Sequence, residues 1–274
     1  MKYVSFTHAD GTAGFGRLNG EQIEVLSNQA ADLKSAISEG SLGTLSSDET
    51  IAIESVTLAP VIPNPGKVFC VGHNYETHRK ETGRAPTDYP SIFVRFADSL
   101  NAHDHPIIMP KVSTDLDFEG ELAVIIGKGG RYISEDDAMS HVAGYACFND
   151  ASVRDWQWHS RQFTPGKNFP TTGPFGPYMV STDEAGDLSE INVTTRLNDE
   201  IVQQQPIGDM IFPIATVIAY ISSFTPLQPG DVIASGTPGG VGAKRTPPLW
   251  MKPGDTISVE IGPMGVLSNT IVAE

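Results

Sequence analysis

The chain has 274 residues, with 18 lysines and arginines against 33 aspartates and glutamates, a formal charge of −15. That balance argues against a nucleic-acid or anionic-membrane partner, because phosphate binding needs a basic face. The length allows one large domain, or a large and a small one, with enough core to need no disulfide, and the 27 glycines and 20 prolines point to many turns and short strands.

Residues 1–62 read as a small N-terminal α+β domain. Phe15–Leu18 and Gln22–Val25 flank Asn19-Gly20, a two-residue hairpin signal. Ala31–Ile37 suits one short helix, and Pro60, Pro63 and Pro65 stiffen the linker to a second unit, residues 63–274. The start of the chain, Met1-Lys2-Tyr3-Val4-Ser5, has no apolar signal core. The most apolar long stretch, residues 210–224, contains Pro213 and is shorter than the ~20 residues that span a bilayer. A cytoplasmic location is the expectation. Cys70 and Cys147 each sit in an apolar run and read as buried free thiols, and no Cys-x-x-Cys zinc spacing occurs.

Val68–Val71 begins the second unit as a strand. Three residues separate His78 from Glu81, so on a short helix they are neighbours: a base with its orienting carboxylate, or a surface ion pair. The stretch from His73 to Pro90 holds Gly83, Pro86 and few apolar residues, which suits a mobile segment that closes over a ligand. Glu119 and Glu121 in Asp117-Phe118-Glu119-Gly120-Glu121 would share one face of a strand that runs on into Leu122–Ile126. A carboxylate pair heading into a core suits a divalent cation, and oxygen ligands select magnesium, manganese or calcium over zinc; the alternative is an exposed strand face.

Ser134 heads a short helix, and Val142–Phe148 is another strand. Asp150 follows it as a third acid or as the N-cap of a helical turn, with Arg154 and Gln157 at helical spacing from it. Lys167 is a lone cation among apolar and turn residues. Residues 191–198 alternate up to a turn at Asn198-Asp199. Ile211–Phe224 reads as a helix apolar around most of its circumference, hence buried. Asp231–Ala234 and Thr256–Ile261 are further strands. The glycine-rich run Ser235–Gly242 lacks the Gly-Lys-Ser/Thr of a phosphate loop, and no Gly-x-Ser-x-Gly elbow occurs.

From Gly66 to Glu274 these segments resemble the fumarylacetoacetate hydrolase family, on its acylpyruvase and hydroxyheptadienedioate-isomerase side. Five motifs carry the resemblance in order: Val71-Gly72-His73-Asn74-Tyr75 with His78 and Glu81; Asp117–Val124; Asn149–Gln157; Gly166-Lys167-Asn168-Phe169; and Ser235–Gly242. The resemblance implies a mainly β fold with short helices, a mixed β-sandwich roll, and a homodimer. It implies a magnesium or manganese ion, or calcium in crystals, held by Glu119, Glu121 and Asp150. It makes His78 and Glu81 a water-activating dyad on a mobile lid, and Lys167 a catalytic cation. Arg154, Gln157, Thr237 and Gly236 would contact substrate; His73 takes no role.

Three carboxylates and a divalent ion leave one negative charge, which Lys167 and Arg154 turn positive, so the site should prefer an anionic 2-oxo acid. The expected activity is metal-dependent hydrolysis of a carbon–carbon bond in a 2,4-diketo acid through a metal-bound enolate. The alternatives are decarboxylation, isomerisation, or hydration and lyase chemistry on a related 2-oxo acid.

Overall fold

The computed structural model describes all residues, 1–274. Turn residues cut the chain into short strands, as the glycine and proline content demands. The N-terminal segment opens with β1 (Lys2–Thr7), β2 (Ala13–Asn19) and β3 (Gln22–Val25). Asn19 pairs with Gln22, so the hairpin loop is Gly20-Glu21, one residue later than the sequence reading. Only Gly20 of that pair has a positive φ, +60°, the demand of a type II′ turn rather than the I′ turn of Asn-Gly. Asp32 caps α1 (Leu33–Ser38) by accepting from the Ser35 amide at 2.7 Å. Strands β4 (Thr50–Ala52) and β5 (Thr57–Leu58) complete the segment.

Across the proline linker come β6 (Val68–Gly72), α2 (Glu76–Glu81), β7 (Ser91–Arg95), β8 (Leu100–Asn101) and β9 (Ile107–Met109). The central run is β10 (Leu116–Asp117), β11 (Gly120–Ile126), α3 (Glu135–Ala138), β12 (Val142–Asn149) and β13 (Ser152–Val153). Two single-turn helices follow, α4 (Arg154–Gln157) and α5 (Thr164–Lys167). The chain ends with β14 (Gly173–Ser181), α6 (Thr182–Ala185), β15 (Asn192–Leu197), β16 (Glu200–Pro206), α7 (Ile214–Phe224), β17 (Val232–Ala234), β18 (Thr256–Glu260) and β19 (Val266–Ala273). Asn198-Asp199 forms the β15–β16 turn, both residues left-handed at φ 51° and 70°, as a type I′ turn requires.

The larger sheet runs β4-β3-β2-β1-β14-β12-β11-β17-β6-β7, with β5 and β8 beside it. The smaller runs β16-β15-β18-β19-β9. Facing residues of the two sheets, among them Leu122, Val124, Tyr145, Val193, Val259 and Leu267, form one core with the inner side of α7. The opposite face of the larger sheet packs on the N-terminal segment: Phe15, Leu26, Leu33 and Ile37 share a core with Phe148, Phe175 and Val232. Residues 1–62 therefore extend the larger sheet through the β1–β14 pairing rather than forming a sheet of their own. The fold is mainly β with short helices, as expected.

Helix α7 departs from the sequence reading. It begins at Ile214, after Pro213, and buries only Val217, Ile218, Ile221 and Ser222. Phe224 is 51% exposed. One side packs on the sheet, the rest is half-buried beside α3, and only Ser223 and Phe224 are exposed, so apolar composition alone overstated its burial. Both cysteines are free and buried, and burial pushes the Cys147 thiol up to about 12. No helix is long and apolar enough to cross a membrane.

Phe175 lies in the core shared with the N-terminal segment, and its carbonyl accepts from the Val61 amide at 3.3 Å. Phe175→Ala should lower unfolding stability by about 3–5 kcal/mol, measured by urea denaturation.

Candidate active site

The site forms where the chain leaves the regular part of the larger sheet. Strands β10 and β11 are interrupted at Phe118-Glu119, so Glu119 lies in the break and Glu121 in β11 proper. The two carboxylates still converge, although not as same-face neighbours on one continuous strand. Asp150 follows the end of β12. Its amide donates to the Glu119 carbonyl at 2.8 Å, which locks the two segments together. One oxygen from each of Glu119, Glu121 and Asp150 lies within 4.8 Å of the others, and all three residues are buried.

Three cations neutralise most of this charge. Lys167, 1% exposed at the end of α5, places Nζ 2.6 Å from Glu119 Oε2 and 2.5 Å from Asp150 Oδ2. It also donates to the Asp150 carbonyl at 3.1 Å, so its three ammonium hydrogens are committed to the protein. Arg154 Nη2 lies 2.6 Å from Glu119 Oε1, and Arg95 Nε pairs with Asp150 Oδ1. Burial alone would raise the Glu119 carboxyl, but the Arg154 and Lys167 charges outweigh it and hold it low. Glu121 has no cationic partner; only the Gly236 amide reaches it, at 2.8 Å. Burial first, then the Asp150 and Glu119 charges, push its carboxyl well above the usual carboxylate range.

That orphaned carboxylate tests whether the residues fit a metal, and they do. Asp117, Glu119, Glu121 and Asp150 against Arg95, Arg154 and Lys167 leave one negative charge, which a divalent cation would turn into one positive. An all-oxygen donor set suits a hard cation.

Asp117 and Arg95 carry roles that sequence reasoning missed. Asp117 accepts from the Gly242 and Ala243 amides at 2.8 and 2.9 Å and from Arg154 Nε at 2.8 Å. It fixes both the glycine-rich loop and the arginine. Its signal was a third acid in an apolar run. For Arg95 the signal was a lone cation closing the apolar Ile92-Phe93-Val94, since a charge in such a run implies a buried partner.

Asp150 is neither an N-cap nor in helical register with Arg154. Strand β13 intervenes, and the cap position of α4 is Val153. Arg154 and Gln157 do meet: Arg154 Nη1 donates to Gln157 Oε1 at 2.9 Å, leaving the Gln157 amide nitrogen free to donate. The Thr237 hydroxyl donates to the Gly120 carbonyl at 2.9 Å and accepts from Gln203 at 2.8 Å. Thr237 lines the cavity; Gly236 is not in its wall and serves Glu121 instead.

Helix α2 brings His78 over this cluster, 5% exposed. His78 Nδ1 lies 2.7 Å from Glu81 Oε1, and the Gly240 amide donates to Glu81 Oε2 at 2.8 Å. With Glu81 ionised, Nδ1 carries the proton and Nε2 keeps its lone pair. His73 stacks on His78, centroids 5.2 Å apart and planes 11° from parallel. It holds a left-handed φ of 57°. Burial, then the His78 charge, lowers His73 to about 4. The cavity measures about 220 Å³. Glu119, Glu121, Lys167, Arg154 and Gln157 form its polar end, and Phe93, Phe163, Trp158, Val241 and Trp250 its apolar side.

Comparison with known proteins shows the chain's relatives. Residues 67–272 match the family described as "Fumarylacetoacetate (FAA) hydrolase C-terminal". The chain is 42% identical over 221 residues to the mitochondrial oxaloacetate tautomerase FAHD2A of Homo sapiens, covering 80% of this chain and 70% of that one. It is 40% identical over 224 residues to the oxaloacetate tautomerase YisK of Bacillus subtilis, covering 80% and 74%. Among solved structures, a putative HpcE protein from Mycobacterium smegmatis superposes with a TM-score of 0.90 at 30% identity, covering 100% and 99%. The fumarylacetoacetate hydrolase of Exiguobacterium antarcticum gives 0.87 at 34%, covering all of both chains. The chain belongs to the fumarylacetoacetate hydrolase family.

Two outcomes follow from the charges. Glu121→Gln removes the repelled carboxyl; it should raise the melting temperature of the metal-free protein while weakening Mn²⁺ binding. Thermal scans with and without Mn²⁺ check both. For His73, a folded pKa of about 4 against about 6.5 unfolded means that unfolding takes up a proton between those values. Its contribution to stability is therefore lost as pH falls from about 6.5 to about 4. His73→Asn, which tolerates left-handed backbone, should show a shallower fall in urea midpoints across that window.

Proposed function

We propose, with membership of the fumarylacetoacetate hydrolase family as the premise, that this enzyme catalyses keto–enol tautomerisation of a small 2-oxo acid of the oxaloacetate type. The observation that carries the reading is the His78–Glu81 pair, a preorganised base facing a buried cationic and carboxylate cluster in a cavity whose walls hold no serine or cysteine. Such walls suit proton transfer better than covalent catalysis. The oxaloacetate tautomerase relatives support the same choice.

Glu119, Glu121 and Asp150 would hold Mg²⁺ or Mn²⁺. When bound, the ion supplies Lewis-acid stabilisation of negative charge developing on a keto oxygen. Arg154 and Lys167 draw the substrate's carboxylate to the polar end of the cavity by charge, and Gln157 donates from its free amide nitrogen. His78 Nε2 takes a proton from the carbon next to the keto group. The C–H electron pair forms the carbon–carbon double bond, and the carbonyl pair moves onto oxygen. The imidazolium, stabilised by Glu81, then delivers its proton to that oxygen. The reaction balances without a co-substrate.

A second reading keeps the hydrolysis expected from sequence. The apolar side of the cavity, with Phe93, Phe163 and Trp158, leaves room for an acyl group, and the same dyad could deprotonate water. A homodimer belongs to the proposal as well, supported by exposed Tyr89, Phe96 and Phe224.

His78→Ala should slow solvent-deuterium exchange at C3 of oxaloacetate by roughly two to four powers of ten, while Mn²⁺ binding survives. NMR of the exchange and Mn²⁺ titration check both. Exchange near the wild-type rate in that variant would sink the assignment of the base.

A further inference from the structure

A groove of about 380 Å³ opens between the end of α3, the turn after α6 and the segment that joins β16 to α7. It shares no lining residue with the catalytic cavity. Two of its walls are stitched together: the Gly208 amide donates to the Ser189 carbonyl at 3.0 Å and the Ile207 amide to the Ile191 carbonyl at 2.9 Å. Only glycine allows that approach, since a Cβ on residue 208 would fall 2.8 Å from the Ser189 oxygen. The Thr216 hydroxyl ties α7 to α3 by donating to Glu135 at 2.9 Å. The walls are therefore set before anything binds, which lowers the ordering cost of an occupant. Leu188 and Ile207 are buried, whereas Met139 is 43% exposed and Met210 and Ile214 are half-buried. Flexible thioether side chains let such a surface fit apolar groups of differing shape.

Charge decides what covers it. The segments that build the groove, residues 134–141, 186–191 and 205–216, hold six acids and no lysine or arginine. The acids are Glu135, Asp136, Asp137, Asp187, Glu190 and Asp209, and all six are exposed. Glu135, Asp137, Asp187 and Asp209 accept hydrogen bonds from neutral donors: Thr216, Ser134, the Ser189 amide and Gln205. Those bonds leave the negative charge uncompensated. Apolar walls under such a rim call for an apolar anchor flanked by cations. A second copy of this chain would bring the same six acids to the contact, and an anionic membrane would meet like charge.

We infer that this groove docks a partner protein through a basic amphipathic segment. The segment's apolar side chains pack against Met139, Met210 and Ile214, and its lysines or arginines lie over the acidic rim. Burial of the apolar side chains supplies the affinity, and the rim supplies the choice of partner and the rate of encounter. The inference is independent of the reaction proposed above, because the groove and the catalytic cavity have separate walls.

The test is fluorescence anisotropy of the full chain with a dye-labelled peptide of about 12 residues, leucines on one helical face and lysines on the other. Replacing its leucines by alanines should weaken binding roughly tenfold or more, and replacing its lysines by glutamates should abolish it. In the protein, Asp136→Lys, Asp187→Lys and Glu190→Lys combined should also weaken binding by roughly tenfold or more, as should Met139→Lys alone. The same charge reversal at Glu21, Glu39 and Glu54, exposed acids of the N-terminal segment, should change it by less than about threefold. All the substituted residues are exposed, and circular dichroism checks that each variant is folded. Three results overturn the proposal. One is an alanine peptide that binds as well as the leucine peptide, which leaves charge alone. Another is an equal loss in the groove and N-terminal variants. The third is a groove variant that sediments as a smaller species than the wild type, which makes a second copy the occupant.

Discussion

Everything at this site depends on one buried ammonium. Lys167 sits between Glu119 and Asp150 with its three hydrogens used up, and those residues come from the β10–β11 break, the end of β12 and α5. Taking such charges out of water is costly, and geometry this close is what offsets the cost. Removing one member of a buried pair typically costs about 3–5 kcal/mol, because the partner is left buried and unpaired. The cluster is thus both a weld between segments and a source of imbalance. The cations neutralise Glu119 and Asp150 but leave Glu121 without a counter-charge. The fold tolerates that residual repulsion at a single point, where a divalent cation would relieve it.

The base is tied to the same framework through the glycine-rich loop. The Gly239 and Gly240 amides donate to Thr77 Oγ1 and Glu81 Oε2 of α2, at 3.0 and 2.8 Å. Asn74, fully buried, donates to the Ser235 carbonyl at 2.7 Å and accepts from the Phe212 amide at 2.8 Å. The loop's first half serves Glu121 through Gly236, and its far end is held by Asp117. Base, cation cluster and loop are therefore positioned by one hydrogen-bond network. Polar bonds hold α2 down, with His78 as its only buried residue, and the fully buried Tyr75 anchors its start.

The site was legible in the sequence wherever a residue type was out of keeping with its neighbours. Glu119, Glu121 and Asp150 stand beside apolar runs, Lys167 is a lone cation, and the His78–Glu81 spacing is a one-turn relation that a short helix satisfies locally. Arg95 and Asp117 each stood beside apolar residues, but their roles lie in partners 55 and 37 residues away, which the local signal does not name. The helical register drawn from Asp150 to Arg154 and Gln157 failed for a related reason. Spacing alone cannot show that β13 intervenes and pairs with β10.

By itself, the sequence determined what depends on neighbours along the chain. The turns at Asn198-Asp199 and near Gly20, the cap at Ser134, the short strands and the order of the five motifs all follow from backbone preference and hydrophobic period. Tertiary structure alone decided which charges meet, how the N-terminal strands extend the larger sheet, and which face of α7 is buried. Ion pairs such as Lys167–Glu119, 48 residues apart, leave no periodic trace in the chain. They form only when folding removes the water between them, and the residues' identities alone do not specify that proximity.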